Sequence, residues 1–281
     1  MSRFSAAERA HLVDGVIEAV TAAGEAILRV YGQERIEATS KANESPVTAA
    51  DHAAHRILAD ALATLAAKIP VLSEEGKHAD AAERADWSVL WIVDPLDGTR
   101  EFLARNDEFT VNVALVEDGR PTLGVVGVPA MGRVFAGRVE EGIAEQIDTA
   151  TGERTRIRTR PCPREPVITA SRSHRGPPME ALVAALRADF PGLREELVGS
   201  ALKLVELARG RCDGYPRRGP CSEWDIAAGE AVLCAAGGLV RRWDGEPLAY
   251  NKPEGLLNPD FWAVADPDGA LAVWFRRHVE A

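Results

Sequence analysis

Near the start of the chain apolar residues recur with a helical period, and further on they alternate as strands. Leu12, Val13, Val16, Ile17, Val20, Ile27, Leu28 and Tyr31 lie on one helical stripe behind Ser5-Ala6-Ala7-Glu8, which matches a capping box. A helix is predicted over residues 5–31, stopped by Gly32. Residues 41–46 form a polar loop. A second helix is predicted from Thr48 through Ile57, Leu58, Leu62 and Leu65 to a stop at Pro70. Residues 71–72 and 89–93 read as short buried strands. Residues 109–116 alternate as a strand, Asp118-Gly119 supplies a hairpin turn, and 123–128 and 133–139 complete a meander. Residues 144–164 are polar and loop-like, which predicts a boundary between a first part, 1–160, and a second, 161–281. The second part reads as strands over 167–170, 239–243 and 261–265 among helices over 179–188, 200–210, 222–236 and 270–279. A meander beside helices argues for an α+β fold.

The strand over 89–93 runs into Asp94-Pro95-Leu96-Asp97-Gly98-Thr99-Arg100. Pro95 has no N–H, so pairing is predicted to stop there and the chain to bend away. Two carboxylates fixed at a strand end repel each other unless a cation lies between them, and hard divalent ions such as Mg²⁺ prefer these oxygen ligands. The Leu96 carbonyl offers a third oxygen, and N–H groups around Gly98 and Thr99 could cradle a phosphate oxygen. An Asx-turn leaving a strand would use the same residues. The D-x-D-G-T signature of haloacid-dehalogenase phosphatases is one residue shorter, and the added residue takes the second carboxylate off the first one's face.

Other acids bear on this motif. Residues 71–72 also end in acid, at Ser73-Glu74-Glu75. Alone such a pair is usually a solvated turn; beside Asp94 it suggests converging strand ends, where sites in layered α/β proteins form. Asp51 and Asp225 each hold the N3 place of a capping pattern, opened by Thr48 and Ser222. Each reads equally as a helix cap and as a carboxylate aimed from a helix start into a metal site.

Bulk composition narrows the function class. The 281 residues are 46% hydrophobic and 27% charged, ordinary for a globular protein with a substantial core. The formal charge of −10 argues against nucleic-acid binding. It is unevenly spread: residues 1–150 carry 14 basic and 25 acidic side chains, and residues 151–281 carry 19 and 18. A metal-binding wall facing an anion-binding wall would produce this division, and so would an accident of solvation. No apolar run reaches membrane-spanning length and the first ten residues lack a signal-peptide layout, so a cytoplasmic location is expected. The four cysteines form no C-x-x-C pair, which makes reduced thiols the default. Cys212 and Cys221 bracket the segment 215–220, where either an oxidation switch or ordinary buried thiols would fit.

Three motifs in order resemble the lithium-sensitive phosphatases of the inositol monophosphatase superfamily: Ser73-Glu74-Glu75, Asp94-Pro95-Leu96-Asp97-Gly98-Thr99 and Glu223-Trp224-Asp225-Ile226-Ala227-Ala228-Gly229. Further stretches look most like its bacterial 3′(2′),5′-bisphosphate nucleotidases. They are the run from Ser45 to Asp51, Glu101-Phe102 through Asn106, Glu108-Phe109-Thr110-Val111-Asn112, Ser171-Arg172-Ser173-His174, Gly199-Ser200-Ala201-Leu202-Lys203 and Tyr215-Pro216-Arg217. Arg100 stands where those enzymes usually carry lysine, which keeps the charge.

The resemblance implies a layered αβαβα sugar-phosphatase fold in two subdomains. It implies two or three Mg²⁺ ions held by Glu74, Asp94, the Leu96 carbonyl, Asp97 and Asp225, with Asp94 bridging. Thr99 with Asp51 and Glu74 would position and deprotonate the attacking water, and Gly98 and Thr99 would hold the scissile phosphate. His174, Ser200, Lys203 and Arg217, with Lys41 and Ser173, would hold the rest of the nucleotide; Glu74, Leu96, Asp97 and Asp225 would also touch substrate. Without its motif, His174 reads as a structural or surface histidine. The implied reaction is in-line hydrolysis of the 3′-phosphate of adenosine 3′,5′-bisphosphate to AMP and phosphate, with the 3′-phosphosulfate analogue as a second substrate, in sulfur assimilation and nucleotide recycling. The rival readings are an inositol- or sugar-phosphate phosphatase and a non-catalytic nucleotide sensor. The full set of acids with Thr99 weighs against the sensor, which needs no water-activating trio.

Overall fold

A computed structural model describes residues 3–34, 36, 38–40, 46–171 and 176–278. Ser5 caps the first helix as expected: its backbone N–H donates to Glu8 at 2.7 Å, and α1 runs over Ala6–Tyr31 to Gly32. The strands β1 (Ala38–Ser40) and β2 (Pro46–Thr48) pair antiparallel, each too short to show a hydrophobic period, and most of the predicted polar loop 41–46 lies outside the described residues. The helix α2 covers Ala49–Leu65 and stops short of the predicted end at Pro70. Residues before proline disfavour helical backbone, and Pro70 is drawn into the sheet, its carbonyl accepting from the Trp91 N–H at 2.8 Å.

Beyond β3 (Val71–Ser73) and the single-turn α3 (Ala81–Arg84), β4 spans Val89–Asp97. The expectation that Pro95 ends this strand is corrected. Pairing with β5 (Thr110–Glu117) continues to Asp97 through a register shift between Asp94 and Asp97. A bulge leaves a residue out of the ladder, so a proline there forfeits no hydrogen bond. The short α4 (Thr99–Leu103) follows directly.

The strands β6 (Arg120–Val128), β7 (Arg133–Arg138), β8 (Ile143–Asp148) and β9 (Arg154–Arg156) complete a seven-stranded sheet in the order β3-β4-β5-β6-β7-β8-β9. Only β3–β4 is parallel. The loop-like reading of 144–164 is therefore wrong over β8 and β9. β9 is the exposed edge strand and β8 lies beside it, and only Ala144 and Ile147 of the two are buried, so they carry little apolar alternation.

The rest of the chain supplies β10 (Val167–Ala170), α5 (Pro177–Asp189), β11 (Arg194–Leu197), α6 (Leu202–Ala208) and β12 (Gly214–Arg217). Then come β13 (Cys221–Ser222), α7 (Glu223–Ala236), β14 (Leu239–Arg242), β15 (Leu257–Asn258), β16 (Phe261–Val264) and α8 (Ala270–Arg277). A second sheet has the order β11-β10-β12-β16-β14. The core is divided by these sheets. Val16, Val20 and Ile27 of α1 and Leu58 of α2 pack with Trp91 and Val93 on one face of the first sheet. Ile92, Ala114 and Val126 on its other face meet α6 and α7, which also bury Phe261 and Ala263 of β16. Trp262 and Val264, on the far side of β16, pack with Val183 of α5 and Phe275 of α8. The layers are thus α1/α2, sheet, α6/α7, sheet, α5/α8: the layered α+β fold expected. No helix among the described residues is long and apolar enough to cross a membrane.

The central helix α7 lies close on the first sheet because two glycines pair directly beneath it, Gly124 on β6 and Gly137 on β7. A Cβ on Gly124 would fall 2.3 Å from the Ala228 carbonyl oxygen, and one on Gly137 would fall 2.7 Å from the Val232 Cα. Backbone cannot yield as a side-chain tip can, so Gly124→Ala must lift α7. Urea denaturation is expected to show a loss of about 1–3 kcal/mol or more, the range for overpacking a core. A variant as stable as wild type would contradict this seating.

Candidate active site

Three chain segments deliver carboxylates to one point: the end of β4, the turn after β3 and the first turn of α7. Alternation along β4 sends Leu90 and Ile92 towards α7, and Asp94 continues that face. Asp94, Asp97 and Asp225 each offer an oxygen within 4.8 Å of the others. Asp94 is 1% exposed, and its Oδ1 accepts from the Leu96 N–H at 3.1 Å. Glu74 leaves β3, which lies parallel to β4, with its N–H on the Val93 carbonyl at 3.1 Å. Its side chain shares a hydrogen bond with Asp94.

Without a counter-ion this arrangement resists ionisation. Burial and then the charges of Glu74, Asp97 and Asp225 hold the Asp94 carboxyl well above the usual carboxylate range. Burial raises Asp97 to about 6, opposed by Lys203 and by the Ala201 N–H. Burial and the Asp97 charge raise Asp225 to about 8. A cluster of hard oxygen donors that repel one another in this way fits small divalent cations.

The raised values give the metal-free protein a pH-dependent stability. Aspartates in the unfolded chain release their protons near about 3.9, whereas the folded protein keeps them to higher pH. Their contribution is therefore complete below about pH 4 and is lost as pH rises through the values of about 6 for Asp97 and about 8 for Asp225. Urea unfolding in chelator is expected to show lower stability at pH 8.5 than at pH 5, and saturating Mg²⁺ to narrow the gap. Equal metal-free stability at both values would contradict the clustering.

Asp51 and Asp225 serve their helices and the site at once. Asp51 Oδ2 accepts from the Thr48 N–H and hydroxyl, both at 2.7 Å, while Oδ1 lies 3.5 Å from the Thr99 hydroxyl. Asp225 Oδ2 accepts from the Ser222 N–H at 2.9 Å. In each case one oxygen caps the helix. Thr99 Oγ1 is also 3.4 Å from the Leu96 carbonyl oxygen. Gly98 turns the chain between them with φ of +87°, a conformation that favours glycine.

A cavity of about 240 Å³ opens beside the acids, lined by Asp97, Thr99 and Asp225 together with Ser200, Lys203 and Arg217. Lys203 is buried, with Nζ donating to the carbonyls of Ser200 at 2.6 Å and Val198 at 3.3 Å. Burial lowers its pKa, and the Asp97 charge opposes that. Arg217 is also buried and donates from Nη2 to the Pro220 carbonyl at 2.8 Å and from Nε to that of Gly219 at 3.4 Å. Asp97 and Thr99 from the acidic first half and Lys203 and Arg217 from the nearly neutral second half thus line one cavity.

Residues 8–277 match the model of the inositol monophosphatase family. The chain belongs to that family. Among curated relatives, the 3′(2′),5′-bisphosphate nucleotidase CysQ of Shigella flexneri is 43% identical over 251 residues, covering 89% of this chain and 98% of that protein. The protein of the same name from Escherichia coli (strain K12) is 42% identical over the same shares. In the crystal structure of CysQ from Bacteroides thetaiotaomicron, described as a bacterial member of the inositol monophosphatase family, the fold superposes with a TM-score of 0.79 at 38% identity. That match covers 90% of this chain and 96% of the other.

In this inositol monophosphatase family member the structure brings together Asp51, Glu74, Asp94, Leu96, Asp97, Gly98, Thr99 and Asp225, and Ser200, Lys203 and Arg217 line one cavity with Asp97, Gly98, Thr99 and Asp225. Lys41, Ser173 and His174 lie outside the described residues. Glu101 had no role in the sequence reading, yet it lines the cavity and its charge acts on both Asp97 and Lys203. Its place beside Arg100 in the motif was legible, but its neighbours across the fold were not. The Ala201 N–H, which donates to Asp97, left no sequence signal. Cys221 lines the cavity and Cys212 is buried, and both are free. Burial pushes the Cys221 thiol up to about 12 and raises that of Cys212 as well. Burial thus disfavours the reactive thiolate at both positions.

Proposed function

We propose that the chain is a Mg²⁺-dependent 3′(2′),5′-bisphosphate nucleotidase that hydrolyses the 3′-phosphate of adenosine 3′,5′-bisphosphate to AMP and phosphate. The 3′-phosphosulfate analogue is its second substrate, which would tie it to sulfur assimilation. The observation that carries the reading is a buried lysine and a buried arginine lining one cavity together with Asp97 and Asp225 of the carboxylate cluster. A nucleotide with two phosphates needs both sets, one for the reacting group and one for the other. The curated relatives bearing the nucleotidase name support the substrate class.

Glu74, Asp94, Asp97, Asp225 and the Leu96 carbonyl would hold two or three Mg²⁺ ions. Bound there, the ions supply charge neutralisation on the phosphoryl group and a lowered pKa for water. The protein's own groups do the remainder. The Thr99 hydroxyl donates towards Asp51 Oδ1, which leaves its lone pairs to accept from the attacking water and fix that water's orientation. Asp51, with its pKa raised by burial, is suited to take a proton by way of Thr99, and Glu74 is the second acceptor. The first N–H groups of α4, from Gly98 and Thr99, lack intrahelical acceptors and would hold the scissile phosphate. Lys203 has three N–H bonds and Arg217 has five. Each already donates to two carbonyls and keeps donors for the second phosphate. Lys41, Ser173, His174 and Ser200 complete the proposed nucleotide contacts.

A substrate panel tests this reading. Phosphate release should require Mg²⁺, and kcat/KM should be highest on adenosine 3′,5′-bisphosphate, above inositol 1-phosphate and sugar phosphates. Preference for inositol phosphate would move the chain to the family's other chemistry. Nucleotide binding without metal-dependent release would make it a sensor.

A further inference from the structure

One buried side chain next to the acidic cluster is not used by the mechanism. Asn112 is 1% exposed, and neither its Oδ1 nor its Nδ2 has a hydrogen-bond partner among the described residues. Its place in the sheet is well defined. On β5, Val111, Val113 and Leu115 face α1 and α2, while Ala114 and Val116 face α7, so alternation turns Asn112 towards α7. Its direct register partner on β4 is Asp94, on the same face. Residues opposite each other in an antiparallel pair have Cβ atoms about 4.5–5.5 Å apart, within reach of an amide and a carboxylate. On the other side Asn112 is paired with Val126, which offers no polar atom.

A core position between valines would ordinarily be filled by a β-branched apolar residue, and a buried amide without a partner is strongly disfavoured. Asp94 is engaged elsewhere, by the Leu96 N–H and by Glu74. A cation drawn between Glu74 and Asp94 would displace the proton of their mutual hydrogen bond and leave Asp94 a carboxylate with lone pairs open to a further N–H donor. We propose that Asn112 is a positioning residue of the metal site: its Nδ2–H orients the Asp94 carboxylate once a divalent cation is bound, and its Oδ1 accepts from water around that cation. The inference rests on the metal-dependent reading above. Glu108-Phe109-Thr110-Val111-Asn112, a stretch that resembled the nucleotidases without an assigned task, thereby gains one.

The test uses the full chain and two readouts besides activity: Mg²⁺ affinity by isothermal titration, and Tm in chelator. Removing partners of metal ligands typically lowers affinity about 10–100-fold, and a fall of at least about tenfold is expected for Asn112→Val. Its Tm in chelator should stay at or above the wild-type value, since the variant removes an unpartnered amide from the core. Asn112→Ser, which keeps a hydroxyl on the same face, should retain more affinity than the valine variant. Unchanged Mg²⁺ affinity in Asn112→Val would overturn the inference. A lowered Tm in chelator would do the same by showing a purely structural role, as would a serine variant that loses as much affinity as valine. Wild-type protein that binds no Mg²⁺ would overturn the metal-dependent reading and this inference with it; wild-type binding with an unaffected variant overturns this inference alone.

Discussion

Asp94→Asn is expected to lower kcat on adenosine 3′,5′-bisphosphate by about 10³-fold or more, and to raise the stability of the metal-free protein. A single donor to transition-state charge is worth about 10²–10³-fold, and loss of a proposed ligand at the centre of the cluster is expected to cost at least as much. The substitution is nearly isosteric, so the loss cannot come from packing. It also removes one of four carboxyl groups that repel one another: Asp94 is the deepest, with its pKa raised by burial and by Glu74, Asp97 and Asp225. Relieving that repulsion should raise Tm in chelator at pH 8 and shrink the Tm gain produced by Mg²⁺. Opposite signs in activity and stability identify a functional ligand, whereas a structural aspartate would lose both. Steady-state kinetics with calorimetry on the same preparations would check it, and a variant within tenfold of wild-type turnover would contradict the assignment.

The second large effect concerns substrate choice. Lys203→Met should lower kcat/KM on adenosine 3′,5′-bisphosphate by about 100-fold, since a hydrogen bond to a charged group is worth about 1.5–3 kcal/mol and tenfold corresponds to about 1.4 kcal/mol. On inositol 1-phosphate the loss should stay within about tenfold. That smaller loss has its own source. Lys203 also ties down the carbonyls of Val198 and Ser200 and opposes the raised pKa of Asp97, so the reacting side of the cavity is disturbed for every substrate. The ratio of the two losses isolates the second phosphate. Equal losses would leave Lys203 as a scaffold for the 198–200 turn and for Asp97, and would remove it from specificity.

The acidic wall was largely legible in the sequence because each of its residues is tied to a local signal. Asp94 and Asp97 end an apolar strand, Glu74 ends another, and Asp51 and Asp225 hold N3 places. The ambiguity between cap and site residue was itself informative, since a carboxylate has two oxygens: Asp51 gives Oδ2 to Thr48 and turns Oδ1 towards Thr99. The basic wall was legible only through family resemblance. Lys203 lies on α6 and Arg217 ends β12, and no periodicity reports that a helix and a strand from the second half will face Asp97. The misreadings have physical causes of the same kind. Pro95 stays in its strand because the ladder is bulged there, and β8 and β9 are too polar and too near the sheet edge to alternate. Asn112 stands in a stretch that resembles the nucleotidases without an assigned task, and its meaning depends on Asp94 in the neighbouring strand.

The central claim is that Asp94, Asp97 and Asp225, with Glu74, close around divalent cations. Crystals of the full chain soaked in Mn²⁺, which scatters anomalously where Mg²⁺ does not, test it most directly. Anomalous peaks at coordination distance from Asp94, Asp97 and Asp225 are the expected result. An anomalous map with no peak at these carboxylates under saturating Mn²⁺ would contradict it.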